Sequence, residues 1–386
     1  MADEGARPAV VFVSVSLGIG GPARSLLTIL RHVDGDLERI LYAPHGDLAR
    51  AVAHEGTAEH HLVMPFDRRS RRRSRVRAAI ELARYVRRHR RRITAIHANG
   101  EGELNIALLA ALVTRVRVVM VARTSQSSPT AGWFAALWRL RRPRVRWLAV
   151  STTAREVLAD TIGLDPTVIE IVHNGIDPEE VVAEPLPHEG IRVGFLGLAA
   201  PHKGFDLLPA IVRGVDRPDV AFDLFVAPPP PDLPLHLRPP WDQLAENASR
   251  SEVFLVGRVH DVSRAYAECD VVLCPSRRES LPRVAAEAMA NGLPVVASDI
   301  PGYREVLGDE AALYFSPDDP AGAAAAIRRL ADDPDLRRRM GAAGRLRAER
   351  FRPDRVVPTL VAHYLGLAGD DASGSAHPPK SSTDEA

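Results

Sequence analysis

Short β-branched runs alternate with amphipathic segments through most of the chain, and this alternation restricts the fold more than any other feature. The first run covers residues 10–16, and a glycine turn at residues 18–21 connects it to apolar residues at helical spacing, from Leu26 to Leu30. Comparable runs follow at residues 39–43, 93–97, 117–122 and 145–151. Strands that alternate with crossover helices are typical of a parallel sheet covered on both faces. The sequence therefore predicts an α/β fold.

The alternation breaks once and then starts again. Residues 174–178, Asn-Gly-Ile-Asp-Pro, and the prolines up to Glu189 have the composition of a linker. After this break, strands are predicted at residues 191–197, 221–227, 252–256, 270–275 and 294–298. At 386 residues the chain is too long for one ordinary domain. We therefore predict two doubly wound, Rossmann-like domains, residues 1–185 and 190–350, which face each other across a cleft.

The end of the chain divides into two segments. Residues 351–368 have a helical apolar period, whereas residues 369–386 are rich in Ser, Asp, Pro and Gly and have none. A segment of that composition cannot bury enough apolar surface to fold. We predict a final helix followed by a disordered tail.

Several classes of protein are excluded by simple features. No apolar run approaches the roughly 20 residues that a membrane-spanning helix needs, and the longest candidate, residues 104–113, suits a buried helix. The first residues contain neither a basic region nor a small-residue cleavage site, which predicts a cytoplasmic protein. Cys269 and Cys274 are the only cysteines, so neither a disulfide framework nor a cysteine-based metal site is expected.

Two turns that follow strands could bind a phosphate group. Gly20 and Gly21 lie where the first strand passes into a helix, and backbone without side chains can approach a ligand closely there. The alternative is a tight turn with no ligand. In the second domain, Lys203 lies at the start of a helix, where its charge adds to the positive end of the helix dipole. The alternative for this residue is a solvated surface lysine.

The most informative block runs from residue 270 to residue 303. A strand leads into a loop that carries Glu279, and the following helix carries Glu287 and ends at Asn291-Gly292. The first amides of such a helix point at the ligand edge of the sheet and favour phosphate oxygens. Carboxylates beside them are good acceptors for sugar and ribose hydroxyls. The block therefore predicts a site for a sugar phosphate or a nucleotide.

Residues 279–298, Glu-Ser-Leu-Pro-Arg-Val-Ala-Ala-Glu followed by Ala-Met-Ala-Asn-Gly-Leu-Pro-Val-Val-Ala-Ser, resemble the E-x7-E motif of retaining glycosyltransferases with the GT-B fold, in particular family 4. The resemblance extends through both domains. It includes the early glycine turn and the matches at residues 150–151, 172–177, 203–204 and 257–259. It also implies that the final helix crosses back to the first domain.

The resemblance implies a role for each matching residue. Glu287 is expected to bind the nucleotide ribose, Glu279 the donor sugar, and Lys203 the diphosphate. Backbone at Arg258 and Val259 is expected to frame the base, and Gly20 and Gly21 to face the donor phosphates from the other domain. The implied donor-binding set is completed by the residues after Glu279, namely Ser280, Leu281, Pro282, Arg283 and Val284.

The resemblance also implies the chemistry. Enzymes of this kind use no metal and no cofactor besides the donor, here a UDP- or GDP-linked sugar. They transfer the sugar with retention of the anomeric configuration, and the leaving phosphate helps to deprotonate the acceptor. Catalysis then consists mostly of positioning and of stabilising the departing diphosphate.

The sequence departs from the family pattern at several positions. Many relatives have an arginine where this chain has Leu198, and either Arg277, Arg278 or Arg283 could replace that charge, the alternative for each being a surface ion pair. Arg123 occupies a loop where the family often has a histidine. His97 ends a strand at the cleft side. We treat Arg123 and His97 as candidate catalytic residues in contact with the acceptor, with a structural histidine as the alternative for His97.

A run of basic residues between Arg68 and Arg92 is the most conspicuous feature of the first domain. From Val76 its apolar residues are compatible with an amphipathic helix. Such a surface could bind anionic lipid, with the protein peripheral on the inner face of the plasma membrane, or be a solvated face. No nucleic acid partner is expected, because no basic strand carries interleaved aromatic residues.

The sequence therefore predicts a retaining, metal-independent glycosyltransferase that moves a hexose-type sugar from a nucleoside diphosphate to an acceptor hydroxyl. The acceptor would be a glycan, a lipid or a small molecule, with a lipid-linked or cell-envelope glycan as one hypothesis. Two alternatives stay open: a nucleotide-sugar epimerase or hydrolase of the same fold, and a catalytically silent relative that binds a membrane or a partner.

Overall fold

The computed structural model describes residues 7–65, 71–124, 144–229, 233–247, 249–259 and 261–368. The chain divides into two units, of which the first ends at Val172 and resumes at Val357, and the second covers His173–Val356. The predicted tail at residues 369–386 lies outside the described residues.

The first unit contains a parallel sheet of seven strands in the order β3-β2-β1-β4-β5-β6-β7. Its strands are β1 (Ala9–Val13), β2 (Glu38–Ala43), β3 (His60–Val63), β4 (Ile93–Ala98), β5 (Arg117–Ala122), β6 (Val145–Ala149) and β7 (Ile169–Ile171). The described helices between them are α1 (Gly21–His32), α2 (Asp47–Glu55), α3 (Arg71–Arg88), α4 (Glu101–Thr114) and α5 (Thr152–Ile162).

The second unit contains a parallel sheet of six strands in the order β10-β9-β8-β11-β12-β13. Its strands are β8 (Ile191–Leu196), β9 (Val220–Phe225), β10 (Glu252–Leu255), β11 (Val271–Cys274), β12 (Val295–Ser298) and β13 (Ala312–Phe315). Its helices are α6 (Pro178–Val181), α7 (Leu208–Val215), α8 (Pro239–Glu246), α9 (Val262–Ala267), α10 (Arg283–Ala290), α11 (Pro301–Leu307), α12 (Pro320–Asp332) and α13 (Pro334–Ala348). The final helix, α14 (Pro353–Leu365), runs from the second unit into the first.

Both sheets have the doubly wound order that the sequence predicts, so the predicted fold class is confirmed. In the first sheet, β1 pairs with β2 on one side and with β4 on the other, and in the second sheet β8 pairs with β9 and β11 in the same way. The order of the strands therefore reverses at β1 and at β8. Ligands of open α/β sheets bind beside the carboxyl ends of strands at such a point. The ends of β1 and β4, and those of β8 and β11, are therefore the places to look for functional residues.

The first unit ends before the predicted boundary at residue 185. The segment after Val172 bonds to the second unit's helix α10 region instead: the Asn291 side-chain amide donates to Val181 O over 2.9 Å, and Ala183 N–H donates to Asn291 Oδ1 over 3.2 Å. One asparagine thus satisfies two backbone groups of a segment whose composition indicates a linker.

None of the described helices is long and apolar enough to cross the hydrocarbon core of a membrane. The apolar run at residues 104–113 forms most of α4, where most of its side chains are buried.

Candidate active site

A lysine and a carboxylate meet at the carboxyl ends of β8 and β11. Lys203 ends a short turn after β8, and its Nζ donates to Glu279 Oε1 over 2.6 Å. The Ser276 hydroxyl donates to the same oxygen over 2.8 Å. The side chains of Lys203 and Glu279 are 29% and 14% exposed, so the pair is shielded but open to a ligand. The sequence predicts both residues for the site, and the structure brings them into direct contact.

Close backbone packing holds the two loops that carry this pair. Gly204, at φ 72°, has the left-handed backbone that favours glycine, and a Cβ there would run into the carbonyl of Pro275. The Arg277 N–H donates to His202 O over 3.0 Å. The loop of Lys203 and the loop of Glu279 are therefore joined before their side chains meet.

Gly302 supports the Glu279 loop from α11. A Cβ at Gly302 would lie 2.5 Å from the Glu279 carbonyl oxygen, and the φ angle there is not positive, so the close approach alone requires glycine. We expect Gly302→Ala to displace the Glu279 backbone and to cost about 1–3 kcal/mol in the free energy of unfolding. Urea denaturation measures that change.

Gly35→Ala is the matched control for Gly302→Ala. Gly35 also lacks a positive φ, and a Cβ there meets no described atom within 4 Å. Its free energy of unfolding should stay within about 0.5 kcal/mol of wild type. Equal stability of the two variants would contradict the packing described for Gly302.

The second glutamate of the motif is enclosed. Glu287 lies in α10 and is 3% exposed. Its Oε1 accepts from Arg283 Nε over 3.2 Å, and its Oε2 accepts from the Tyr266 hydroxyl over 2.7 Å. Burial, and then the neighbouring carboxylate, raise the pKa of Tyr266 well above its usual value, so the phenol stays protonated. Glu287 thus holds a cation and a phenol as its own partners, which the motif spacing does not indicate.

Pro282 is the N-cap of helix α10, and Arg283 is its first residue. Ser280 and Leu281 are buried ahead of the cap, whereas Val284 lies in the first turn and is partly buried. The amide of Val284 is among those that an α-helix leaves without an acceptor of its own. This end of α10 follows the Glu279 loop directly, so it adds positive potential beside the pair of Lys203 and Glu279.

Three arginines are candidates to replace the charge that is missing at Leu198, which is itself 63% exposed, and they have different partners in the structure. Arg277 binds Asp206 over 2.7 Å and Asp318 over 2.6 Å, and Arg283 binds Glu287 over 3.0 Å. Both guanidiniums are therefore paired with carboxylates, as Lys203 is, and their role as replacements stays a prediction. Arg278 is exposed and forms no ion pair with another described residue.

Arg258 and Val259 follow β10, the edge strand of the second sheet, after Gly257. The Arg258 side chain is exposed, whereas Val259 is partly buried against a cluster that includes Phe225 and Cys269. Their predicted contact with the nucleotide base runs through backbone and stays a prediction.

In the first unit, the glycine turn caps a helix. Gly20 is the N-cap of α1, and Gly21 and Pro22 form its first turn. A Cβ at Gly20 or Gly21 would meet no described atom within 4 Å, so the space in front of this helix end is open. The Asn99 side-chain amide, after β4, donates to Pro22 O over 3.1 Å and joins the turn to the next strand.

Arg123 lies beside this turn at the end of β5. Its Nε donates to Asn99 Oδ1 over 3.1 Å, so Asn99 holds the turn and the arginine at once. Glu101 and Glu103, in the first turn of α4, complete the cluster. Burial raises the pKa of each carboxyl, although backbone amides, including Val15 N–H at 3.0 Å from Glu103 Oε1, partly oppose the effect. Glu101 and Glu103 are not among the predicted site residues. Their position directly after the predicted strand β4 was the feature that could have marked them as site residues.

His97 does not occupy the accessible position expected of a catalytic residue. Its side chain is fully buried in β4, between Phe12 and Tyr364, and the Tyr364 hydroxyl forms a hydrogen bond of 2.9 Å with Nδ1. Burial, with the Arg123 charge, lowers the pKa of His97 to about 3. The imidazole is therefore neutral and has no exposed surface for an acceptor, which favours the structural alternative.

Two family models match the chain. One lies mostly within the first unit, and the other lies within the second unit. The model of glycosyltransferase family 4 covers residues 19–180, and that of glycosyl transferases group 1 covers residues 190–333.

Relatives from Mycolicibacterium smegmatis show the same similarity. Its phosphatidyl-myo-inositol mannosyltransferase is 32% identical over 289 residues, which cover 71% of this chain and 71% of the relative. Its alpha-maltose-1-phosphate synthase is 34% identical over 224 residues, 52% of this chain, and the chain spans 57% of the length of that relative.

Solved structures share the fold at lower identity. A glycosyltransferase from Rickettsia africae has a TM-score of 0.80 at 15% identity, over 94% of this chain and 99% of that chain. HepE from Anabaena, in complex with UDP and glucose, has a TM-score of 0.73 at 17% identity, over 91% and 98%. With the fold, the family models and the mannosyltransferase in agreement, the chain belongs to the family 4 glycosyltransferases, which have the GT-B fold.

Proposed function

We propose that the chain transfers a hexose from a UDP- or GDP-linked donor to an acceptor hydroxyl, with retention of the anomeric configuration and without a metal ion. The observation that carries this proposal is the contact between Lys203 and Glu279 beside the first turn of α10. A cation and a helix N-terminus suit a diphosphate, and a carboxylate next to them suits the sugar hydroxyls.

The proposed reaction breaks the bond between the anomeric carbon and the diphosphate oxygen. The electron pair leaves with the diphosphate, where Lys203 and the α10 amides stabilise the added charge. The acceptor oxygen forms the new bond from the same face of the sugar, and its proton passes to the departing phosphate. Glu279 orients the sugar, and Glu287 acts by holding Arg283 and Tyr266 in place rather than as an exposed ribose ligand.

The acceptor that we propose is a polyol, either free or attached to a lipid or glycan. Its support comes from the relatives: one is a phosphatidyl-myo-inositol mannosyltransferase, and a second, from Geodermatophilus obscurus, is a D-inositol 3-phosphate glycosyltransferase, 30% identical over 245 residues. In the first unit, Arg123 and Glu101 are partly buried beside the glycine turn and offer a donor and an acceptor for such hydroxyl groups.

Saturation-transfer NMR, which detects binding of a small molecule to the chain, tests the donor site. UDP-glucose, UDP-N-acetylglucosamine and GDP-mannose are added separately to the wild-type chain, and we expect one of them to bind selectively. Turnover that needs an added acceptor and is unaffected by EDTA would support a metal-independent transferase. Turnover without an acceptor would favour the epimerase or hydrolase, and binding without any turnover would favour the silent relative.

A basic face of α3 supports a peripheral position on the inner face of the plasma membrane as part of this proposal. A groove of about 680 Å³ is lined by Arg73, Val76, Arg77, Ile80, Glu81 and Arg84. Val76 and Ile80 are 45% and 46% exposed, so apolar and cationic side chains are presented together. Arg68 and Arg69, in the same basic run, lie outside the described residues.

We expect replacement of Arg73, Arg77 and Arg84 by Ser to weaken binding to phosphatidylglycerol vesicles. At about 1 kcal/mol for each basic side chain near the surface, the loss approaches 3 kcal/mol, or roughly a hundredfold. Sedimentation with vesicles measures the bound fraction.

The control removes the same charge elsewhere, from the exposed Arg213, Arg338 and Arg339 in the second unit. This variant should sediment with the vesicles like wild type. Equal loss in both variants would show a nonspecific charge effect, and no loss in either would remove the membrane from the proposal.

A further inference from the structure

One oxygen of Glu279 has two donors of different character. Lys203 Nζ lies 2.6 Å from Oε1 and Ser276 Oγ lies 2.8 Å from it. The lysine is a long cation, 29% exposed at its side chain, whereas Ser276 is 4% exposed. A mobile donor and a fixed donor therefore share one acceptor.

On the proposed function, donor binding gives the lysine a second anionic partner that competes with Glu279. The proposed function assigns Lys203 to the diphosphate, which carries more negative charge than a single carboxylate. A lysine that turns to the diphosphate can no longer hold Glu279 as closely as it does here. A carboxylate in a shielded site then needs another donor to keep its orientation.

Ser276 is placed to be that donor. Its neighbour Pro275 packs against Gly204, and its other neighbour, Arg277, donates its N–H to His202 O over 3.0 Å. The buried Tyr303 side chain lies close to Ser276. Because Ser276 and Glu279 are three residues apart on one fixed loop, their bond orders little additional chain.

We propose that Ser276 is a positioning residue for the transfer reaction. Its hydroxyl keeps Oε1 of Glu279 in place while Lys203 moves to the diphosphate, and this leaves Oε2 to accept a hydroxyl of the donor sugar. This inference rests on the proposed function and deepens it, because it separates the sugar contact from the phosphate contact.

A double-mutant cycle with Ser276→Ala and Glu279→Ala tests the proposal. Affinities are measured by calorimetry for UDP-glucose against UDP and for GDP-mannose against GDP, and the ratio within a pair isolates the contribution of the sugar. We expect Ser276→Ala to reduce that ratio roughly fivefold, in line with the loss of one hydrogen bond. In the Glu279→Ala background the same change should have no further effect, since Ser276 acts only through Glu279.

Ser298→Ala is the matched control. Ser298 lies on the neighbouring strand β12, is also buried, and its Oγ has no hydrogen-bond partner among the described residues. It should leave both affinities unchanged. A wild-type ratio in Ser276→Ala, or an equal effect of Ser276→Ala with and without Glu279, would overturn the proposal. Failure of the wild-type chain to bind either sugar nucleotide would instead overturn the proposed function.

Discussion

Replacement of Glu279 by Ala should lower donor turnover by at least roughly a hundredfold while the affinity for the nucleoside diphosphate changes little. The carboxylate accepts from Lys203 and Ser276 at the ligand edge of the sheet, where the proposed sugar binds. A preorganised polar group in a shielded site contributes about 2–4 kcal/mol to the transition state, which corresponds to this loss of rate. The nucleoside diphosphate lacks the transferred hexose, so its binding does not need the contact between that hexose and Glu279.

Two measurements separate these effects. Release of nucleoside diphosphate from the donor gives turnover, and calorimetry with UDP or GDP gives the affinity. Glu310→Ala, a change at an exposed carboxylate after α11, is the control of equal charge and should retain both. Loss of nucleoside diphosphate affinity in Glu279→Ala would contradict the assignment of this residue to the sugar.

The central strands of both sheets and the edge strand β10 could be predicted from the sequence, whereas the edge strands β3 and β7 could not. β1 is an unbroken run of β-branched and apolar residues, because a central parallel strand is covered on both faces. β3 and β7 are short edge strands, and their sequences contain His60 and Glu170 among the apolar residues. Such strands are half solvated, so their composition resembles that of a loop.

Within the site, the sequence predicts which residues are near one another but not which bonds they form. The strand, loop and helix pattern places Lys203 and Glu279 at the same edge of the sheet. Whether Glu287 faces a ligand depends on Tyr266 and Arg283, whose rotamers are set by packing. The spacing of two glutamates contains no information on that packing.

The surroundings of His97 could not be predicted either, because the residue that covers it is far away in the sequence. Its place at the end of a strand is correctly predicted, and that place alone suggests access to a ligand. Tyr364, 267 residues later, covers the ring and forms its hydrogen bond. Burial of a histidine by a distant helix leaves no local pattern, so the sequence could not distinguish a catalytic histidine from a structural one.

Replacement of Lys203 by Ala should weaken donor binding about 10- to 100-fold. The ammonium group is the cation nearest to Glu279 in the second unit, and two of the three arginines of this region, Arg277 and Arg283, are bound to carboxylates. Leu198, in the same loop after β8, supplies no charge, so loss of Lys203 removes a large share of the phosphate-binding charge. The change also leaves Glu279 without its cation, which adds repulsion toward the diphosphate.

Calorimetric titration with UDP or GDP at two salt concentrations measures this effect. Wild-type affinity should fall as salt rises, and the affinity of Lys203→Ala should fall less, because the screened attraction is gone. Arg329→Ala removes one exposed positive charge from α12 and should behave like wild type. Unchanged nucleotide affinity in Lys203→Ala would mean that the exposed Arg278 or the α10 amides carry the diphosphate, and that Lys203 serves only to neutralise Glu279.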